Sequence, residues 1–168
     1  MSHRADPTGL VEETFERIRR ERMDGLPILN PALAVEAIGL QRWNGHWLGI
    51  LLTPWAMSVL LLPDDRAAWV STLAQQRRFV QFPFGDLAFL GGDEEGLGEY
   101  QTCSLFSPME AFATQREARE TALASLAALL APAPAPREAV PEQTAGPAPV
   151  AAARPPVPSR RRFLGLGA

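Results

Sequence analysis

The stretch WNGHWLGILLTPWAMSVLLLP, residues 43–63, decides the fold that we predict for this chain. It contains three of the four tryptophans, and its middle is almost wholly apolar. Asn44-Gly45 is a strong hairpin signal, because a type I′ turn needs positive φ at both central residues and these two residues adopt it at little cost. The hairpin arms are then 35–43 and 46–53. Pro54 has no N–H to donate, so the pairing must break or bulge there before another strand over 57–62.

This apolar run is too short for a membrane-spanning helix. From Trp47 to Leu62 it falls short of the roughly 20 apolar residues that a spanning helix needs, and Thr53-Pro54 interrupts it. β-Branched and aromatic residues with turn signals at both ends favour buried strands. The run therefore predicts a twisted sheet and no membrane span.

The composition narrows the class of protein and its partners. The 168 residues suffice for one domain plus an extension. Residues 1–130 carry 11 arginines and 17 acidic residues, a net charge of −6, which argues against nucleic acid as the main partner and is compatible with a basic peptide. The single cysteine, Cys103, excludes an intramolecular disulfide and favours a reducing compartment. Because the first residues lack the apolar region of a secretory signal, we expect a cytoplasmic location.

Capping and turn signals place the remaining elements. Asp6-Pro7 begins an amphipathic helix that ends near Gly25, with Val11, Phe15 and Ile18 on its apolar stripe. Thr114-x-x-Glu117 is a capping box that begins a final helix, which runs up to Ala131. Between them, the pattern predicts a first strand over 32–40, a short helix over 64–76, strands over 79–82, 87–90 and 99–106, an acidic glycine-rich turn over 91–96 and a short helix over 109–112.

These elements predict a single α+β domain over residues 1–131, a mostly antiparallel sheet with the N- and C-terminal helices packed on it. Residues 132–158 are rich in alanine and proline and have few apolar anchors, so we expect a disordered linker. Residues 159–168, SRRRFLGLGA, regain cationic and apolar character and are interpreted as a peptide motif.

The sequence offers little for catalysis or metal binding. Cys103 and His46 are the pair that a thiolate–imidazole site would need, but Cys103 lies in the middle of a predicted strand, where a buried inert thiol is the usual interpretation. A cysteine-dependent enzyme is therefore a distant alternative. Two histidines and one cysteine are too few for a protein-only metal site, and no cofactor is expected. Asp93, Glu94 and Glu95 are interpreted as a solvated turn, with a patch for a cation or an arginine as the alternative.

Several phrases, in this order along residues 30–130, resemble the HybE/HupJ family of [NiFe]-hydrogenase assembly chaperones. They are Asn30-Pro31-Ala32-Leu33, Val35-Glu36-Ala37, Trp47-Leu48-Gly49, Leu52-Thr53-Pro54-Trp55, Leu61-Leu62-Pro63, Phe82-Pro83, Gly85-Asp86, Gly98-Glu99-Tyr100-Gln101 and Cys103-Ser104-Leu105-Phe106-Ser107-Pro108-Met109. The resemblance implies a non-enzymatic chaperone that holds a hydrogenase subunit precursor until assembly is complete, the small subunit with its twin-arginine signal being the implied client. A scaffold that docks other hydrogenase maturation factors is the alternative.

The predicted partner-binding residues fall into three groups. Trp55 and Phe84 follow prolines that interrupt strand pairing, so we expect their rings to leave the core and capture the client. An acidic groove is expected from Asp93, Glu94, Glu95 and Glu99. The third group is Arg160, Arg161 and Phe163 of the C-terminal motif.

The C-terminal motif has two interpretations. Residues 159–164 match the S-R-R-x-F-L pattern of twin-arginine signal peptides, but only 165–168 follow, so no hydrophobic region of export length is present after them. One interpretation is a basic tail without a specific function. The other is a mimic of the client's signal that competes for the acidic groove.

Overall fold

The structure is a computed structural model, and it describes residues 2–65, 67–72, 74 and 76–132. Within these ranges, six strands form one antiparallel sheet in the order β1-β2-β3-β6-β5-β4. The elements in chain order are α1 (Thr8–Ile18), a π-helical turn (Arg19–Met23), β1 (Glu36–Trp43), β2 (His46–Leu52), β3 (Met57–Pro63), β4 (Arg77–Phe82), β5 (Gly85–Glu94), β6 (Gly98–Phe106) and α2 (Gln115–Leu130). The predicted α+β fold with helices at both ends of the domain is confirmed. The linker 132–158 beyond its first residue, and the motif 159–168, lie outside the described residues.

The central hairpin forms as predicted. Asn44 and Gly45 have φ values of 50° and 77°, and Trp43 pairs with His46 across the turn. All of β2 is buried, because it lies between β1 and β3 and has a helix on each face. Pairing stops at Thr53, whose hydroxyl and backbone close a turn with Ala56. The apolar run therefore supplies the two strands at the centre of the core.

The two helices cover opposite faces of the sheet. α1 packs Val11, Phe15 and Ile18 against Leu51 and Leu60 on one face. α2 covers the other face, and its buried residues Ala118, Ala122, Leu126 and Leu129 join the larger core cluster with Leu48, Ile50, Val59 and Phe89. α1 begins one residue later than predicted: Pro7 takes the cap position, and the Asp6 carboxylate accepts from the Thr8 N–H at 2.9 Å. The π-helical turn ends at Met23, close to the predicted end near Gly25, and Gly25 follows in the left-handed conformation.

Two predicted short helices are wrong, and in both segments a distant side chain contacts the backbone. None of the described residues over 64–76 is helical; Gln101 instead donates to the Val70 carbonyl at 2.8 Å, and Ala74 bridges to Gly91. Residues 109–112 form a turn that the Phe112 N–H closes on the Met109 carbonyl at 3.2 Å, and the Asn30 side chain bonds this carbonyl and that of Phe112. In each segment a distant side chain bonds the backbone.

The predicted turn over 91–96 is also partly wrong, because β5 continues to Glu94. Gly91 and Gly92 pair with Gln101 and Tyr100 of β6, and the turn follows at 95–97. The ring of Tyr100 covers Gly92: a Cβ there would lie 2.5 Å from its Cζ atom. An aromatic side chain thus fills the space that the glycine leaves, which keeps the strand paired.

Candidate functional site

Four connections meet at one end of the sheet, which we call the loop end: residues 24–35, the turn 53–56, the turn 83–84 and residues 107–114. Asn30 joins three of them. Its side-chain amide donates to the carbonyl groups of Met109 at 2.9 Å and Phe112 at 2.7 Å, and its backbone N–H donates to Pro54 at 2.9 Å. The Ser107 hydroxyl adds a bond to the Trp55 carbonyl at 3.3 Å. Three of the phrases that carry the family resemblance are therefore one hydrogen-bonded unit.

Two hollows flank the segment 29–31 at the loop end. The larger, of about 410 Å³, is lined by Glu16 and Arg19 together with Leu33 and Pro54. The smaller, of about 280 Å³, lies beside Ile28, Glu110 and Phe112. The Arg19 guanidinium donates to the Glu16 carboxylate at 2.6 Å, and this bond lowers the pKa of Glu16. The charged groups of the larger hollow thus neutralise each other and leave a largely apolar lining.

Trp55 lies in the turn 53–56 at this end. It is half-buried and packs against the core cluster beneath α1. The predicted exit of its ring from the core is therefore only partial, since one part contacts the core and another part reaches the surface. Trp43 and Trp69 are also half-buried and pack against the larger core cluster, with Trp43 stacked on Phe82 at 4.5 Å. Trp47 is buried, and its indole N–H donates to the His3 carbonyl at 2.7 Å.

Phe84 lies in the turn 83–84 and is 63% exposed. It forms one wall of a groove of about 210 Å³, which we call the α2 groove, lined by Phe84, Leu87, Leu105, Ser125, Ala128 and Leu129. The groove lies between β5, β6 and the last two turns of α2. Three strand spacings, roughly 14 Å, separate the turn of Phe84 from that of Trp55, so the structure brings these two predicted residues to the same end of the sheet.

The predicted acidic residues lie at the opposite end, roughly 25 Å away along β6. The Glu94 carboxylate is paired with Arg22, and the Arg17 guanidinium donates to the Glu95 carbonyl at 2.7 Å. Burial alone would raise the pKa of Glu99, but hydrogen bonds from the Thr72 N–H and the Ser71 hydroxyl outweigh it and hold that pKa below its usual value. Asp93 and Glu95 keep exposed side chains.

The C-terminal motif, a metal site and a membrane span are the remaining features to compare with the structure. Arg160, Arg161 and Phe163 lie outside the described residues. Among the residues that are described, no group of three or more His, Cys, Asp or Glu side chains is arranged to hold a metal ion. No helix in the described ranges has the length and apolarity to cross a membrane.

Cys103 and His46 are too far apart to act as a pair. Cys103 lies opposite Val59 and His46 lies opposite Pro63, so four residues of β3, roughly 13 Å, separate them. Burial raises the pKa of the Cys103 thiol, which disfavours the nucleophilic thiolate.

The sequence reasoning missed two features. In the sequence, Asn30 stands out only as part of a phrase that resembles the family. A polar residue before Pro31, in a stretch with little regular structure, is the one indication that its side chain bonds backbone groups. An exposed face on β4 and β5 was also missed, with Phe79 71% and Leu90 39% exposed. Alternation along 79–82 signals that Phe79 and Phe82 lie on opposite faces of the strand, but not which face is covered.

Comparisons with known proteins identify the family of this chain. A family described as "[NiFe]-hydrogenase assembly, chaperone, HybE" matches residues 6–166. The hydrogenase expression/formation protein HupJ of Bradyrhizobium diazoefficiens is 42% identical over 124 residues, 74% of this chain and 72% of that protein. The protein HoxT of Cupriavidus necator is 39% identical over 139 residues, covering 75% and 76% of the two chains. The hydrogenase-2 operon protein HybE of Escherichia coli K12 is 31% identical over 103 residues, 61% of this chain and 64% of that protein.

The fold comparison gives the same result. The solution structure of HybE from Escherichia coli superposes with a TM-score of 0.64 at 25% identity, covering 95% of this chain and 93% of that one. This chain thus shares its α+β fold with HybE from Escherichia coli. The chain belongs to the HybE family of [NiFe]-hydrogenase assembly chaperones.

Proposed function

We propose that this protein is a cytoplasmic, non-enzymatic chaperone that holds a [NiFe]-hydrogenase subunit precursor until assembly is complete, and that its client is the small subunit with its twin-arginine signal. The observation that carries the proposal is the loop end. There, phrases shared with the chaperone family meet around Asn30 and lie beside two hollows and the α2 groove.

The mechanism is reversible capture, with specificity set by differences in affinity. Trp55 and Phe84 supply aromatic area at the loop end, and aromatic residues are enriched among those that dominate binding energy. Capture needs no covalent step, and the raised pKa of Cys103 supports a chaperone without catalysis. The exposed carboxylates of Asp93 and Glu95 provide a second, electrostatic contact for a basic client segment.

The test is a pull-down with the tagged full chain from cells that express a hydrogenase operon, probed separately for the small- and large-subunit precursors. Trp55→Ala and Phe84→Ala should each reduce recovery of the small-subunit precursor by more than their loss of thermal stability explains. Phe79→Ala is the matched control, because this ring is equally exposed but lies on the other face of the sheet. Recovery of the large-subunit precursor alone would contradict the assigned client, and recovery that simply follows the melting temperature would show that neither ring contributes to capture.

A scaffold for other maturation factors is the second candidate, and one observation favours it. α1 covers the β1–β3 part of its face, which leaves Phe79 and Leu90 exposed on the β4–β5 part. This surface is on the opposite face from the α2 groove, so a second protein bound there would not block the groove. If Phe79→Ala abolishes recovery of other maturation proteins while the precursor is still recovered, the scaffold function is supported; unchanged recovery of those proteins would exclude this face.

A further inference from the structure

β4 is an edge strand whose outer backbone groups are open. It lies at one end of the strand order, and no residue in the described ranges pairs with its outer side. The Gly91 N–H donates to the Gln76 carbonyl at 3.2 Å. Because an antiparallel pair alternates, every second residue after Gln76 also directs its backbone groups toward β5. The residues between them direct their N–H and C=O groups outward, and these are Arg77, Phe79 and Gln81.

The opposite edge of the sheet is protected in a way that β4 is not. The register of β1 shifts between Ile38 and Gln41, and Gly39 in this bulge has a φ of 64°. Such a bulge disfavours pairing with another chain. β4 keeps one register with β5 along its whole length and contains no proline, and Phe79 in its middle is 71% exposed. β4 is therefore the edge that is suited to pair with another strand.

We propose that β4 pairs antiparallel with β4 of a second copy of this chain, about a two-fold axis at Phe79, so that the two six-stranded sheets become continuous. A strand that pairs antiparallel with its own copy is self-complementary, as a two-fold interface requires. Phe79 then lies opposite itself, and Arg77 lies opposite Gln81 of the second copy. The outward backbone groups of all three residues gain partners, and the two Phe79 rings form a cross-strand aromatic pair.

Charge complementarity favours a second copy as the occupant of this edge. Asp86 lies opposite Gln81 in its own copy and on the same face as Arg77. Both charged side chains are exposed, and neither forms an ion pair with another described residue. Within one copy they are four residues apart along β4, roughly 14 Å. Across the axis, Arg77 is two strand positions, roughly 10 Å between Cα atoms, from Asp86 of the second copy. Extended side chains span that distance, and the two-fold axis forms the ion pair twice.

Arg78 does not oppose this pairing, although the axis brings its Cα atom to roughly 8 Å from that of its own copy on the other face of the sheet. The Arg78 guanidinium donates to the Gln101 side chain at 3.2 Å. Gln101 lies on β6, on the far side of β5 from the free edge. The charge of Arg78 is therefore directed away from the second copy.

The contact is small, so the dimer is weak. Residues 77–81 of each copy pair, far fewer than the roughly 20–30 residues a side of a stable interface, and we expect a dissociation constant of about 10–100 μM. The second copy covers Phe79, so it competes there with the partners of the scaffold candidate. The dimer needs no client, and its test uses the purified chain alone.

The test is sedimentation equilibrium of the full chain from about 5 to about 500 μM, a range that brackets the expected dissociation constant. We expect a reversible monomer–dimer equilibrium without larger species, because the pairing uses the free edge of both copies. A monomer at every concentration would overturn the proposal and leave this edge to an extended segment of another protein. A series of larger oligomers would contradict the two-fold axis.

Matched variants test the register and the edge. Arg77→Asp and Asp86→Arg should each weaken dimerisation about tenfold, and the double variant should restore it, because the ion pair forms again with reversed signs. Phe79→Ser should weaken it about tenfold, whereas Leu90→Ser, on the same face but one strand in from the edge, should change it less than about twofold. A double variant that stays as weak as the single ones would refute the register. Equal effects of Phe79→Ser and Leu90→Ser would show that the faces stack and that the edges do not pair.

Discussion

The strongest structural prediction concerns Asn30. Asn30→Ala removes two donors from the carbonyl groups of Met109 and Phe112, and it removes the acceptor of the Ala32 N–H, 3.0 Å away. A hydrogen bond contributes about 0.5–1.5 kcal/mol, and more when its loss leaves a buried partner unpaired. Asn30→Ala removes three such bonds, although the Met109 carbonyl keeps the bond from the Phe112 N–H at 3.2 Å, so we expect a loss of about 3 kcal/mol in the free energy of unfolding. Asn30→Asp keeps the acceptor but sets a carboxylate against two carbonyl oxygens, so it should cost at least as much.

The assay is urea unfolding at 25 °C, followed by tryptophan fluorescence. With an m-value of about 1–3 kcal/mol/M, a loss of about 3 kcal/mol lowers the midpoint by roughly 1–3 M. Glu110→Ala, at an exposed position of the same connection, is the control and should change the free energy of unfolding by less than about 0.5 kcal/mol. A loss below about 1 kcal/mol for Asn30→Ala, or an Asn30→Asp variant more stable than Asn30→Ala, would refute the claim that this amide holds the loop end together.

Three further predictions address stability and the C-terminal motif. Burial lowers the pKa of His3 and of His46, so their contribution to stability is complete above the unfolded pKa near 6.5 and is lost as the pH falls below it. His46→Phe should therefore reduce the change in unfolding free energy between pH 7 and 5, measured by urea unfolding. An unchanged pH dependence would contradict this. Cys103→Ala should lower the free energy of unfolding by about 1 kcal/mol and leave hydrogenase maturation measurable. Loss of maturation in a variant with a normal melting temperature would instead support a catalytic role for this thiol. Deleting 159–168 should tighten binding of a twin-arginine peptide, most at low salt, if this motif competes with the client; unchanged or weaker binding would exclude that role.

The sequence was sufficient where local signals and burial agreed. The Asn44-Gly45 turn, the apolar run of β2 and β3 and the capping box at Thr114 all act over a few residues, and the structure contains each of them. The Thr114 hydroxyl accepts from the Glu117 N–H at 3.2 Å, but the Glu117 carboxylate returns to the Ala113 N–H, one residue before the cap. The local sequence thus determines where α2 begins, but it does not determine which backbone N–H the Glu117 carboxylate accepts from.

The sequence was insufficient where contacts between distant residues decide the backbone. Asn30 and Gln101 bond backbone carbonyl groups in segments about 80 and 30 residues away, and no periodicity in those segments indicates these contacts. The candidate site shows the same limit. Prolines marked the turn of Phe84, but nothing in the sequence shows that Trp55 shares an end of the sheet with Phe84, because that depends on the pairing of β3 with β6.

The central claim is that the loop end captures a hydrogenase precursor, and photocrosslinking in cells tests it most directly. A full chain with p-benzoylphenylalanine in place of Phe84, expressed with a hydrogenase operon, should give an adduct with the small-subunit precursor, identified by antibody. The same substitution at Phe79, which is 71% exposed on the opposite face, should not. An adduct with that precursor from Phe79 alone, or none from either position while the precursor is present, would contradict the account.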